Sequence, residues 1–330
     1  MVDSMNGKCL DRLRPPGGNA GRPGSERPRD PSRLTRREAL GWIGLGALAV
    51  AWAPQRAFAA EGPPELALAR NGEPAELVRR TLAALGGMAR FVSPGCRVVI
   101  KPNIGWDRTP EQGANTHPEV VVALIELARE AGAREVKVMD HTCNDPRRCY
   151  QRSGIEARAR EAGAEVIHLR EGRGTEMKIG GQLLSTWPVH REVIETDVLI
   201  NVPVAKHHSL CGVSLGMKNW LGAIDGRRNQ LHQKIGQASA ELAAFFRPAL
   251  TVLDATRLLL RNGPQGGDPA DVSRPRLLMA GIDPVAIEAF GAGLLQLTAE
   301  DLPQIALAEA QGLGKRDWDR PGLVTLDLEG

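Results

Sequence analysis

Three stretches decide the fold: Arg97-Val98-Val99-Ile100-Lys101, then Thr116-His117-Pro118-Glu119, then Glu135-Val136-Lys137-Val138-Met139. The first and third are short and rich in β-branched residues, with Pro102 ending one and Gly132 preceding the other, which predicts strands. The second is a capping box with proline in the first helical turn. It is followed by Val121, Leu124, Ile125 and Ala128 on one helical face. A strand, a helix and a strand in this order make the crossover unit of a parallel sheet. Outward from it the alternation continues. Pro74-Ala75-Glu76 opens a helix after a linker at residues 61–72, and Ile155, Ala159 and Ala162 mark another. Further strands are read at Glu165–Leu169, Asp197–Val202, Leu250–Leu253, Arg276–Ala280 and residues 323–328. Helices are read along Leu231, Ile235, Ala238, Leu242 and Phe245, and from Pro284. Gly180-Gly181, between short runs, predicts an inserted hairpin. The expected class is α/β, a mostly parallel sheet with helices on both faces plus that hairpin, as one domain over residues 61–330.

The chain has 330 residues, 42% hydrophobic and 25% charged, enough for a packed core. Aromatics are only 4%, which excludes an extensive base-stacking surface. The net charge of +3 comes from the leader. Residues 1–60 hold ten basic and five acidic residues, so the remainder carries 32 basic against 34 acidic, a net of −2. A near-neutral body gives no electrostatic case for nucleic acid or an anionic membrane as partner.

That leader has a polar head. Arg36-Arg37 comes next, then a Gly- and Ala-rich apolar run from Ala39 to Ala53, and Ala57-Phe58-Ala59 as a cleavage signal. The order is that of a twin-arginine secretory signal cleaved near Ala59. The run is shorter than the roughly 20 apolar residues a spanning helix needs, so no stable membrane span is expected in the mature chain. The expected partner is the twin-arginine translocation machinery, and the expected location is periplasmic or otherwise extracytoplasmic.

In open parallel sheets ligands bind beyond the carboxyl ends of the strands. The polar residues at those strand ends are Lys101 and Asn103, Asp140 and His141, Lys206 and His208, Asp254, and Asp283. Turn chemistry explains the Asn and Asp residues in part, but not the lysines and histidines. The densest segment runs from Asn201 to Gly222. Its glycines and Ser214 suggest backbone N–H groups bared to an anion at a helix start. Lys206, Lys218 and Asn219 would add to that cradle, and His207 or His208 would move a proton near neutral pH. Cys96, Cys143, Cys149 and Cys211 lie beyond the leader, with no C-x-x-C and no ferredoxin-type run. They leave open two disulfides or a metal site, with His141, Cys143, Cys149 and Cys211 as possible ligands. Asn262-Gly263-Pro264-Gln265-Gly266-Gly267 reads as a loop able to cover the site.

These segments resemble the domain-of-unknown-function family number 362. The resemblance is carried by Val99-Ile100-Lys101-Pro102-Asn103, Thr116-His117-Pro118-Glu119, Lys206-His207-His208 and Gly216-Met217-Lys218-Asn219-Trp220-Leu221-Gly222. Asp254, Asn262-Gly263-Pro264 and Asp283-Pro284-Val285-Ala286 extend it, so that it spans most of residues 97–291. The family pattern of Lys, one residue, His places His208 rather than His207 at the family position. Some members carry a ferredoxin-like cluster domain, which implies a metal or iron–sulfur cofactor as one possibility.

Three functions are consistent with this reading. The first is an enzyme acting on a small anionic substrate, with His208, Asp140 and Asp254 exchanging protons and Lys101, Asn103, Lys206, Lys218 and Asn219 binding. The second is a metal- or iron–sulfur-containing redox protein, and the third a periplasmic solute-binding module.

Overall fold

The computed structural model describes residues 63–329; the expected twin-arginine leader and cleavage signal lie outside them. The runs read as buried strands are strands. β1 (Leu66–Arg70), β2 (Arg97–Pro102), β3 (Glu135–Asp140), β4 (Glu165–His168), β5 (Thr175–Lys178) and β6 (Thr186–Val189) come first. β7 (Val198–Val202), β8 (Val204–His208), β9 (Gly212–Ser214), β10 (Leu250–Leu259), β11 (Val272–Ser273), β12 (Leu277–Gly281) and β13 (Leu323–Asp327) come after them. The helices are α1 (Pro74–Ala84), α2 (Pro118–Glu130), α3 (Pro146–Arg152), α4 (Ile155–Glu161), α5 (Arg191–Ile194), α6 (Ile235–Phe246), α7 (Pro284–Leu294) and α8 (Pro303–Ala310).

One sheet runs β13-β1-β12-β10-β7-β2-β3-β4. From β10 to β4 every neighbour is parallel, while β12 is antiparallel to both β10 and β1. β8 continues alongside β10 and turns back as β9. The α/β class with a mostly parallel sheet is thus observed. The inserted hairpin is β5-β6, an antiparallel pair separate from the main sheet.

Residues on alternate sides of each strand feed two cores. Val98, Ile100, Val136 and Val138 pack with α1 and α2, whereas Val99, Met139 and Leu253 pack with α6, α7 and α8. Because both faces are covered, the strands read as unbroken apolar runs. The segment read as a linker at 61–72 contains β1, which pairs with β12 and β13, more than 200 residues away in the chain. No helix among the described residues is long and apolar enough to cross a membrane.

The sheet aims its carboxyl ends at one place. α2 begins there: His117 is its N-cap, accepting from Glu119 N through Nδ1, and Thr116 Oγ1 donates to Val202 O and accepts from Asn103 N. These bonds lock the loops after β2 and β7 to each other.

Candidate functional site

A cavity of about 1060 Å³ opens beyond the carboxyl ends of β2, β3 and β8. Asn103, Asp140, Lys206, His208, Lys218 and Asn219 all line it. Residues from separate stretches of chain therefore converge. Lys101 lies directly behind the wall, fully buried.

A relay of polar side chains forms the floor. Asp140 Oδ1 accepts from Lys101 Nζ at 2.6 Å, and Oδ2 accepts from Ile104 N at 2.6 Å. Lys101 Nζ also donates to Pro102 O and to Asn219 Oδ1, so all three of its N–H bonds have acceptors. Asn219 Oδ1 takes a second bond from Asn103 Nδ2, and Asn219 Nδ2 donates to Asn201 Oδ1. Asn103 Oδ1 in turn accepts from Lys206 Nζ at 2.8 Å. Gly222 closes over this pair; a Cβ there would strike Asp140 Oδ1 and sit 2.7 Å from Lys101 Nζ, so only glycine fits. Tyr150 fixes the end of β3 from behind, its hydroxyl accepting from Asp140 N and donating to the carbonyls of Asp140 or Ile167.

The two lysines on the cavity wall differ from Lys101. Lys206 has no carboxylate partner among the described residues: its Nζ donates to Asn103 Oδ1 and to Ala114 O. Burial, with Lys218 nearby, pushes it down to about 7. The Lys218 side chain makes no hydrogen bond or ion pair among the described residues, and burial lowers it too. Strand alternation on β8 puts Lys206 and His208 toward the cavity and His207 on the opposite side, where its Nδ1 accepts from Gly263 N.

The sequence reading has His208 moving protons near neutral pH. Burial first, then Lys218, pushes it down to about 3, so the ring stays neutral there. Its Nδ1 accepts from Leu210 N, which assigns the proton to Nε2 and makes the ring a hydrogen-bond donor. The group poised near neutrality is Lys206 instead.

The helix-start cradle holds a different anion from the one expected. The turn at Gly216-Met217 does bare its N–H groups, but they face the chain's own Glu288, whose carboxylate accepts from Met217 N. Burial raises Glu288 to about 7 despite those bonds. The next helix, Lys218–Ala223, is a short 3₁₀ segment.

Asp254 is fully buried but off the cavity. It accepts from His117 N through Oδ2, and from Thr256 N and Oγ1 through Oδ1, so it braces the start of α2. Cys143 is exposed on the cavity wall. Cys149 is buried with its thiol toward Gly105 O, and burial pushes it up to about 12. Both are free thiols, not joined to each other. Cys211 lies near His208 and His232. Cys96 precedes β2, at the opposite end of that strand from the cavity, six residues or roughly 20 Å of extended chain away. These four cysteines therefore do not gather into a ligand set for an iron–sulfur cluster. Pro264 of the expected covering loop reaches the cavity wall.

Several residues of the site carried no pattern in the sequence. Arg228 donates to the carbonyls of His141, Thr142 and Leu221, tying the loop after β3 to the 3₁₀ segment. Tyr150 and Glu288 support the floor from outside the segment that runs from Asn201 to Gly222.

The fold and the cavity together define an α/β protein with a lysine-lined, strand-end site. The family model described as Domain of unknown function (DUF362) matches residues 98–293, and the chain belongs to that family. It is similar to the thylakoid-associated protein sll1697 of Synechocystis, with 30% identity over 245 residues, covering 72% of this chain and 74% of that protein. A crystal structure of a protein from Thermotoga maritima is similar at 13% identity with a TM-score of 0.39; the match covers 68% of this chain and 60% of that one.

Proposed function

We propose that the cavity binds a small anionic substrate, a carboxylate or phosphate ester, and that the protein is an enzyme whose proton carrier is Lys206. The observation that carries this reading is the charge balance of the wall. Arg170, Lys206, Lys218, Arg227 and Arg228 face the cavity against Asp140 and Glu171, and Asp140 is already neutralised by Lys101. Cations without carboxylate partners in a sheltered cleft attract and desolvate an anion.

The bonding sets the division of labour. Lys218, with no internal partner, takes the anionic group. His208 Nε2–H and Asn219 orient it. Lys206 has two N–H bonds fixed by Asn103 and Ala114, which leaves its third position as a proton in the ammonium or a lone pair in the amine. A group near 7 at that point works as general acid or base at neutral pH.

Calorimetric titration of the full chain with inorganic phosphate and with succinate tests the reading. Lys218→Met and Lys206→Met each remove a charge-assisted hydrogen bond of about 1.5–3 kcal/mol, so each is expected to weaken binding roughly tenfold or more. Unchanged affinity in both variants would sink it. Binding with no turnover of any carboxylate or phosphate ester would leave the protein a solute-binding module.

Export by the twin-arginine route belongs to the same proposal, supported by Arg36-Arg37, the apolar run and Ala57-Phe58-Ala59. Expression of the full chain should yield an extracytoplasmic product shortened by about 60 residues. Arg36→Lys with Arg37→Lys should leave it uncleaved inside the cell. Equal distribution of both forms would refute export by this route.

A further inference from the structure

We infer that His141, His190 and Asp225 form a binding site for one divalent transition cation, zinc or ferrous iron by its donor chemistry, at the side of the cavity. Each of the three offers a ligand atom, and these atoms all lie within 4.8 Å of one another. His141 stands at the tip of β3 on the cavity wall, His190 is the N-cap of α5, and Asp225 lies just past the 3₁₀ segment. Three distant parts of the chain thus meet at one point.

The second observation is a buried atom without a partner. His190 is fully buried and its Nδ1 makes no hydrogen bond among the described residues. Its Nε2 lies 3.1 Å from His141 Nδ1, which also lies 3.1 Å from Ile224 O. If His141 Nδ1 carries the proton, for Ile224 O, then His190 Nε2 can only accept, and its own proton sits on Nδ1 with nothing to receive it. If His190 Nε2–H donates to His141, Ile224 O faces a lone pair, and His190 Nδ1 becomes a buried lone pair with no donor. Either tautomer leaves a polar atom unsatisfied. A cation held between His190 Nε2 and His141 Nδ1 would resolve the contact between those two nitrogens, since each then presents it a lone pair.

The remaining ligand is prepared for that cation. Asp225 Oδ1 accepts from Gly226 N at 2.8 Å and Oδ2 from Gly174 N at 2.7 Å, which orients the carboxylate as outer-shell bonds do. Two imidazoles and one carboxylate suit a borderline first-row ion and leave a fourth position free of protein ligands. An all-oxygen cation such as magnesium or calcium finds too few oxygens. Arg228 is the nearby opposing charge, and its guanidinium is engaged by three backbone carbonyls.

A second group, His208, Cys211 and His232, has similar spacing but a poorer environment. Lys218 acts electrostatically on all three of its members. It has no carboxylate, and no member has an orphaned buried atom. The inference stands independently of the anion reading, since metal uptake is measured without substrate.

The test is titration of chelator-treated full chain with Zn²⁺ by calorimetry and with Co²⁺ by its visible ligand-field absorption. One equivalent is expected, with a rise in Tm. Asp225→Asn and His141→Gln should each weaken uptake at least tenfold, and His190→Ala should do the same if it folds. His232→Gln should leave uptake unchanged. No stoichiometric uptake by the wild-type chain would overturn the inference. So would uptake insensitive to Asp225→Asn and His141→Gln but lost in His232→Gln, because that assigns the ion to the other group.

Discussion

Replacing Asp140 by Ala should cost about 3–5 kcal/mol of stability, because it strands a buried ammonium. Lys101 is fully buried, and among the described residues Asp140 is its only carboxylate partner, at 2.6 Å. Burial already pulls Lys101 down, and only the neighbouring carboxylate opposes that pull strongly. The substitution also frees Ile104 N, and it removes one acceptor of His141 N, whose other bond is to Gly222 O. For a chain of this size the loss corresponds to a fall in Tm of about 5–9 °C. The attractive energy of the pair and the penalty of an unpaired partner are separable. Asp140→Asn with Lys101→Met removes both charges while keeping an acceptor for Ile104 N, and it should recover most of the loss. Urea unfolding at neutral pH measures both. An Asp140→Ala protein within about 1 kcal/mol of wild type would mean that the pair is not the keystone of the floor, and the site would have to be held by its amides alone.

The parallel ladder was legible because strands buried on both faces must be apolar without interruption, as in Val98-Val99-Ile100 and Val198-Leu199-Ile200. The cavity lies where such a ladder turns polar: Lys101 and Asp140 stand in the last two residues of β2 and β3, while Lys206 reaches it from within β8. β1 was not legible. Leu66-Ala67-Leu68-Ala69-Arg70 is a weak strand former, and pairing with β12 and β13 decides its state, not local propensity. β8 was hidden because Lys206 and His208 are polar on its inward side, where a strand pattern wants apolar residues.

The chemistry was less legible than the geometry. A histidine and a lysine side by side suggest a histidine that titrates near neutrality, since that is its ordinary range. Here the order inverts. Burial beside lysines suppresses the charged imidazole, and burial without a carboxylate brings the lysine into the neutral range. The two lysines differ because the Asp140 carboxylate points at Lys101 and not at Lys206. No spacing in the chain reports that choice. His190 and Asp225 were invisible for a related reason. Each is an isolated residue in a loop, and only the packing of the β5-β6 region brings them to His141.

Anion affinity should fall as pH rises through 7, by up to tenfold per unit, because the anion prefers the ammonium form of Lys206. In the free protein that group titrates at about 7, below the 10.5 of an exposed lysine. The folded state therefore binds fewer protons than the unfolded chain between about 7 and 10.5. Lys206 thus costs stability in full below 7, and stability rises with pH across that window. A bound anion reverses the cost by pairing with the charge, so it draws a proton onto Lys206. At pH 8 the complex should take up close to one proton. The apparent binding enthalpy should then change with the ionisation enthalpy of the buffer. Lys206→Met should abolish the proton uptake while gaining intrinsic stability at pH 6. Part of that gain is offset because Asn103 Oδ1 and Ala114 O lose their donor. Calorimetry with phosphate and succinate in two buffers between pH 6 and 9 separates these effects. Affinity constant across that range with no buffer dependence would show that Lys206 neither senses nor binds the anion. The charge balance of the wall would then rest on Lys218 and the arginines, and the proton carrier would have to be sought elsewhere.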